Sequence, residues 1–177
     1  MKVWGNIMNI LERLAFSYLD FLAIDNEFIN NYYFIFIFYP AALIFGFLKT
    51  VEVQMKRGTY FLNSAIILFS LTLFQSIWLF NPQAIAYGFL FIIVAADILC
   101  WILAGIAYVY IAKARSNDAY GHSKFAILAF IPLGNLILLF KGSKNKNYNP
   151  KETQHLTSGW PAVIIGFIIY SISGGLS

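Results

Sequence analysis

Residues 59–112 read TYFLNSAIILFSLTLFQSIWLFNPQAIAYGFLFIIVAADILCWILAGIAYVYIA, fifty-four positions with one charged side chain, Asp97. A helix needs only about 20 apolar residues to cross the hydrocarbon of a bilayer, so this run is too long for a single crossing. Asn81-Pro82-Gln83 is the natural place for it to turn. Two antiparallel spans are predicted, about 59–80 and 84–112. Trp78, Tyr87, Tyr108 and Tyr110 fall near their ends, where aromatic rings favour the headgroup region.

The rest of the composition agrees with that reading. The 177 residues are 60% apolar and 19% aromatic, and only 11% are charged, against roughly 25% charged residues in a soluble domain. Twelve basic and eight acidic side chains cannot cover a soluble core of this size. The basic residues fall in short loops with no stacking or groove-reading surface among them, which excludes a nucleic-acid partner. The lone Cys100 excludes an internal disulfide and any zinc-type spacing, and no cofactor motif is present.

Working outward, residues 28–48 carry no charge and form a first span. Pro40 would kink it, and Ala42 with Gly46 makes a small-xxx-small pair suited to a close helix neighbour. Lys49, Lys56 and Arg57 follow it. Residues 160–176 form the last span, in which Gly166, Ser171, Gly174 and Gly175 invite close packing. At the other end, residues 3–22 place Ile7, Ile10, Leu11, Leu14, Tyr18, Phe21 and Leu22 at helical spacing. Burying Glu12, Arg13 and Asp20 together would cost several kcal/mol, so an amphipathic helix lying in the interface is predicted. The acids of residues 1–27 also break any signal-peptide core, and the segment is expected to stay attached, without lipidation.

Residues 113–124 read as a polar loop and 125–140 as an apolar run of only 16 residues, interrupted by Pro132, Gly134 and Asn135. A full crossing there would put the basic loop 141–155 opposite the other two basic loops, against the positive-inside rule. A re-entrant segment that dips in and returns at the break would keep all three together; the competitor is a short tilted fifth span. The expected fold is therefore an all-α polytopic integral membrane protein. It has an interfacial segment over 1–27 and a helical membrane domain over 28–177, with four transmembrane helices plus one short or re-entrant segment.

Four groups of residues are candidates for function. Asp97 lies deep in a span with no basic partner there. A turn at 81–83 would bring Ser70, Thr72 or Asn63 to it as hydrogen-bond donors, for a relay of protons or cations or for neutral packing. Arg115, Asn117, Asp118, His122 and Ser123 form a polar cluster, read either as recognition of an anionic headgroup or partner, or as a loop-capping network. Lys141, Lys144, Lys146 and Lys151 would contact anionic lipid, or only enforce topology. His122 and His155 are too isolated for a metal site, and His122-Ser123 lacks the surroundings of a nucleophile, so no catalytic residue is assigned.

The stretches ARSNDAYGHS (114–123), FIPLG (130–134) and NYNP (147–150) resemble the YhaH-like family of small bacterial inner-membrane proteins. The likeness covers about residues 113–150. Tyr120 lengthens the Asp-to-Gly spacing by one residue, and Lys124 stands where a small or aromatic residue is usual in that family. The resemblance implies a bacterial cytoplasmic-membrane location and brings no chemistry with it. The expected function is a non-enzymatic subunit or accessory factor of a larger membrane complex, touching lipids and other subunits or itself. The alternative is a small oligomeric transporter or channel using Asp97.

Overall fold

The computed structural model describes residues 2–23, 33–76, 81–144 and 159–176, and the regular structure among them is entirely helical. Helix α1 (Lys2–Ala23) is followed by a π-helical stretch, Tyr33–Phe38, that leads into α2 (Tyr39–Leu48). Next come α3 (Arg57–Gln75), the short α4 (Asn81–Tyr87) and the long α5 (Leu90–Tyr120). A 3-10 helix (Ser123–Phe130), α6 (Pro132–Phe140) and α7 (Trp160–Leu176) complete the chain.

The direction of each helix follows from which residues meet. Along α2, Phe38 packs on Trp101 and Ala104 of α5, while Lys113 reaches the carbonyls of Gly46 and Lys49. These two helices therefore run the same way. Their close approach needs Gly105, because a Cβ there would lie 2.5 Å from the Phe38 carbonyl oxygen. Helix α3 runs the opposite way. The Met55 amide before it donates to the Ala114 carbonyl at 3.0 Å, and Leu71 further on packs on Trp101 and Ala104. Helix α7 runs with α3: a Cβ on Gly58 would sit 2.9 Å from the Gly159 oxygen, and fifteen or so residues later Thr72 Oγ1 lies 2.8 Å from Ser173 Oγ.

One end of the bundle consequently collects the last residues of α2, α5 and α6 and the first of α3 and α7. Eight of the twelve basic residues, Lys49, Lys56, Arg57, Lys113, Arg115, Lys124, Lys141 and Lys144, lie in or beside these termini, with Glu52 and Asp118 as the acids there among the described residues. Helix α1 sits at the other end, where Ala15 packs with Ala84, Leu90 and Ile93. Its stripe of Ile7, Ile10 and Leu14 faces outward.

Residues 123–140 form a hairpin that leaves and returns to the basic end. At its start, Ser116 Oγ donates to the His122 carbonyl at 2.7 Å; at its finish, Lys144 N donates to the Asp118 carbonyl at 2.9 Å. Its tip is held where the Tyr108 hydroxyl donates to the Ala129 carbonyl at 3.0 Å. Tyr108 precedes Arg115 by seven residues, so the tip lies about 10 Å along α5 from the basic end. The arms cannot be straightened into one helix. Ile131 is extended, Pro132 opens α6, and a Cβ on Gly134 would meet the Leu128 oxygen at 2.7 Å.

Several expected boundaries change. Of the four spans expected, two among the described residues are helices long and apolar enough to cross a membrane, Arg57–Gln75 and Leu90–Tyr120. The apolar helices Ile35–Leu48 and Trp160–Gly174 are shorter, and α7 at 17 residues is about 26 Å long against a hydrocarbon core of about 30 Å. Residues 28–32 of the expected first span lie outside the described residues, as does Trp78. The predicted turn at Asn81-Pro82-Gln83 is inside α4; the chain breaks instead at Gly88, whose φ of 69° suits glycine. The loop expected from residue 113 is the last two turns of α5. The helix ends at Gly121, a left-handed C-cap with φ 83° whose amide donates to Asn117. It runs on because Lys113, Arg115, Ser116, Asn117 and Asp118 each find a partner within the fold.

The outer surface is apolar on every side of the bundle. Ile44 and Phe47 on α2, Leu99 and Leu103 on α5, Leu136 and Phe140 on α6, and Ile164 and Phe167 on α7 are all exposed. The buried set, in contrast, includes Asp97, Arg115, Ser116, Asn117, Asp118 and Ser173.

Candidate functional site

The densest polar chemistry lies in the last two turns of α5, at residues that share a face with the loop 50–56 and the return of the hairpin. Arg115 is 0% exposed. Its Nε donates to the Leu138 carbonyl at 3.0 Å, and its two terminal nitrogens reach the carbonyls of Met55 and Leu139, each at 3.5 Å, that of Lys141, and Asp118 Oδ2. A guanidinium has five N–H donors, so each has an acceptor within reach. The last carbonyls of a helix lack intrahelical partners; Arg115 provides them for α6 and places its charge at the negative end of that helix dipole. A guanidinium engaged in this way presents no donor to an external phosphate.

Asp118 completes the knot. It pairs with Arg115 across one helical turn, accepts from Ser143 Oγ at 2.8 Å, and its carbonyl takes the Lys144 amide. Asn117 donates its amide to the carbonyls of Val51 at 2.6 Å and Val53 at 3.1 Å, pinning the loop between α2 and α3. Ser116 ties the start of the hairpin. The sequence cluster thus divides. Arg115, Asn117 and Asp118 are brought together and buried. The exposed His122 instead stacks on Phe125 at 5.2 Å, and Ser123 begins the 3-10 helix.

Two further cationic contacts lie beside the knot. Lys113 Nζ donates to the carbonyls of Lys49, at 2.7 Å, and Gly46, capping α2 as Arg115 caps α6. Lys141 Nζ lies 5.5 Å from the Tyr120 ring centre. Lys146, Lys151 and His155 fall outside the described residues.

At the break, Asn135 Oδ1 accepts from the Tyr60 hydroxyl at 2.7 Å, tying α6 to the second turn of α3. The tip of the hairpin rests in an aromatic cluster. Phe130 meets Tyr39 and Tyr108 edge-on at 5.7 and 5.6 Å, and Phe38 meets Trp101 at 6.4 Å. Such edge-on pairs contribute beyond their buried area.

Asp97 is buried at 1% exposure on α5, and of its expected neighbours Asn63 lies away from it. Asn63 Nδ2 donates to the Thr59 carbonyl at 2.8 Å and approaches Met55 Sδ at 3.8 Å, at the basic end. Thr72 serves Leu68 and Ser173, and Ser70 is exposed. The register is the cause. Leu71 lies level with Trp101 and Ala104, so Asp97 lies beyond Leu71 toward the end of α3 rather than level with residues 67–70. A tight turn at 81–83 would have set the lower register; the intervening α4 lengthens the connection. Of the small residues in the last run, Gly166 packs on Phe61, whereas Ser171 is exposed and bonded to its own helix.

Sequence reasoning missed Ser116, Ser143, Tyr60 and Ser173. The first adjoins Arg115 and could have been included with it; nothing local marked the others. Among the described residues no group of three or more His, Cys, Asp or Glu could hold a metal ion. Comparison with known protein families, with curated proteins and with solved structures finds no match to this chain.

Proposed function

We propose that the chain is a multi-pass protein of a bacterial cytoplasmic membrane that acts as a non-enzymatic subunit or accessory factor of a larger membrane complex. The membrane part of the reading rests on one contrast, an apolar exterior on all helices around an interior holding Arg115, Asp118 and Asp97. Exposed apolar surface of that extent is costly in water and favourable in lipid or against partner helices. Crossing helices would be α2, α3, α5 and α7, with residues 123–140 re-entrant and α1 in the opposite interface. All three basic connections would then face the cytoplasm, as the positive-inside rule favours. The resemblance of residues 113–150 to the YhaH-like family supports the bacterial location.

The accessory reading is supported by how the polar groups are used. Arg115, Asn117 and Asp118 bind the scaffold to itself, while the outward faces of α2 and α7 offer apolar surface to a neighbour. The transporter reading needs Asp97 and the broken segment to share a pathway. Asp97 lies eleven residues beyond Tyr108, about 16 Å along α5, with the Phe38, Trp101, Tyr108 and Phe130 rings in between. Native mass spectrometry of the gently extracted protein tests the choice: a stoichiometric foreign subunit is expected, and a lone chain or homo-oligomer carrying Asp97-dependent cation flux in liposomes would overturn it.

A further inference from the structure

A cleft of about 500 Å³ opens at the basic end between α3, α6 and α7. Phe61, Leu139, Phe140, Trp160 and Val163 form its walls, and the exposed Arg57 also lines it. Two features restrict what would fill it. First, the walls continue onto the outer surface: Phe140 is 71% and Trp160 79% exposed, so the cleft communicates sideways with whatever bathes the helices. Second, Arg57 has no ion-pair partner among the described residues. Asp118, the buried acid at this end, is already held by Arg115 and Ser143.

A second crevice on the other flank of the hairpin provides an internal contrast. It is about 270 Å³, between α2, α5 and the 3-10 helix, and its Lys113 is engaged with two backbone carbonyls. Only exposed Lys124 stands at its rim. The larger cleft thus combines more apolar room with a guanidinium whose donors are not engaged within the described fold.

We infer that the cleft between α3, α6 and α7 is a binding site for an anionic phospholipid, with Arg57 holding the headgroup phosphate and the apolar walls one acyl segment. The inference rests on the membrane reading above. Guanidinium forks match phosphate in a bidentate manner, basic pockets between membrane helices on the cytoplasmic side select anionic headgroups, and Trp160 stands where indole rings favour the interface. A free phosphate would use Arg57 but leave the apolar walls in contact with nothing. A zwitterionic lipid presents the same phosphate and acyl chains but brings a quaternary ammonium beside Arg57, and that like charge offsets the attraction.

The test is native mass spectrometry of the delipidated full chain in detergent, titrated with phosphatidylglycerol or phosphatidylcholine. One phosphatidylglycerol per chain is expected, retained at least tenfold more tightly than phosphatidylcholine. Arg57→Gln should reduce that preference to under threefold, and Lys124→Gln should leave it unchanged. Val163→Trp, which fills the cleft and keeps the charge, should weaken both lipids; it also serves if Arg57→Gln does not fold. Equal binding of the two lipids, an unchanged preference in Arg57→Gln, or displacement by millimolar inorganic phosphate would overturn the proposal. Alkaline carbonate extraction separates the two levels. Release of the chain from native membranes would defeat the membrane reading, whereas a retained chain with no lipid preference would defeat the cleft alone.

Discussion

The two ends of α5 are held by different forces. At the basic end, the side chains of Arg115, Ser116 and Asn117 donate to the backbone of other segments, and Asp118 holds Arg115, Ser143 and the Lys144 amide. At the far end, Ala15, Ala84, Leu90 and Ile93 meet by apolar packing, and toward that end Thr72 bonds Ser173 between α3 and α7. In water, apolar packing would be the stronger of the two. Where the surroundings are themselves apolar, close contact and hydrogen bonds must hold the helices together, so the end with the knot should carry the larger share of stability.

The first way to break the comparison is all-or-none. In a Cys100→Ser background, cysteines placed at Lys49, Lys124 and Lys144 should react with a membrane-impermeant thiol reagent from one side only, and a cysteine at Gln83 from the other. Labelling of Lys144→Cys from the side opposite Lys49→Cys would dissolve the common basic end and with it the hairpin's return.

Next in size is Arg115→Ala. It leaves Asp118 without its cation and the carbonyls of Leu138, Leu139 and Lys141 without their cap, and should cost about 3–5 kcal/mol. Arg115→Lys should recover only part of this, since three donors on one atom cannot reproduce the fork. Unfolding by sodium dodecyl sulfate in mixed micelles reads both, and a loss under 1 kcal/mol for the alanine variant would show that the knot is not what holds this end. Gly105→Leu tests the contact between α2 and α5. The added side chain has to push the Phe38 backbone away, for a loss of about 1–3 kcal/mol. An undiminished midpoint in the same assay would mean that the two helices do not approach so closely.

The smallest pair sharpens the contrast between single bonds. Tyr60→Phe removes the bond to Asn135 that steadies the hairpin and should cost about 1 kcal/mol. Thr72→Val at the far end removes the bond to Ser173 and should cost about 0.6 kcal/mol, the usual size of an interhelical side-chain bond in a membrane. Proteolysis at residues 141–144 gives a second readout: Tyr60→Phe should speed cleavage there, and Thr72→Val should not.

What could be read from the chain alone was whatever depends on composition and local order. The helical class, the apolar runs, the amphipathic N-terminal helix, the Arg115–Asp118 pairing distance and the break at Pro132–Asn135 each follow from residues within a turn or two of one another. Helix ends were less legible. Residues 113–120 look like a loop because they are polar, yet they are helical because Leu138, Val51, Met55 and Lys141, distant in sequence, supply backbone acceptors. Asn63 was misplaced beside Asp97 for a related reason, since the register between α3 and α5 depends on how the connection through α4 is built.

The sequence by itself determined that this protein is all-helical and too apolar for an ordinary soluble surface, because hydropathy and charge are properties of the residues wherever they sit. Only the tertiary structure decided that residues 123–140 turn back, that the basic residues collect at one end, and that Arg115 binds the chain to itself while Arg57 stands open beside a cleft. These facts depend on contacts between segments far apart in the chain, and no local pattern encodes which backbone carbonyl a buried guanidinium will find.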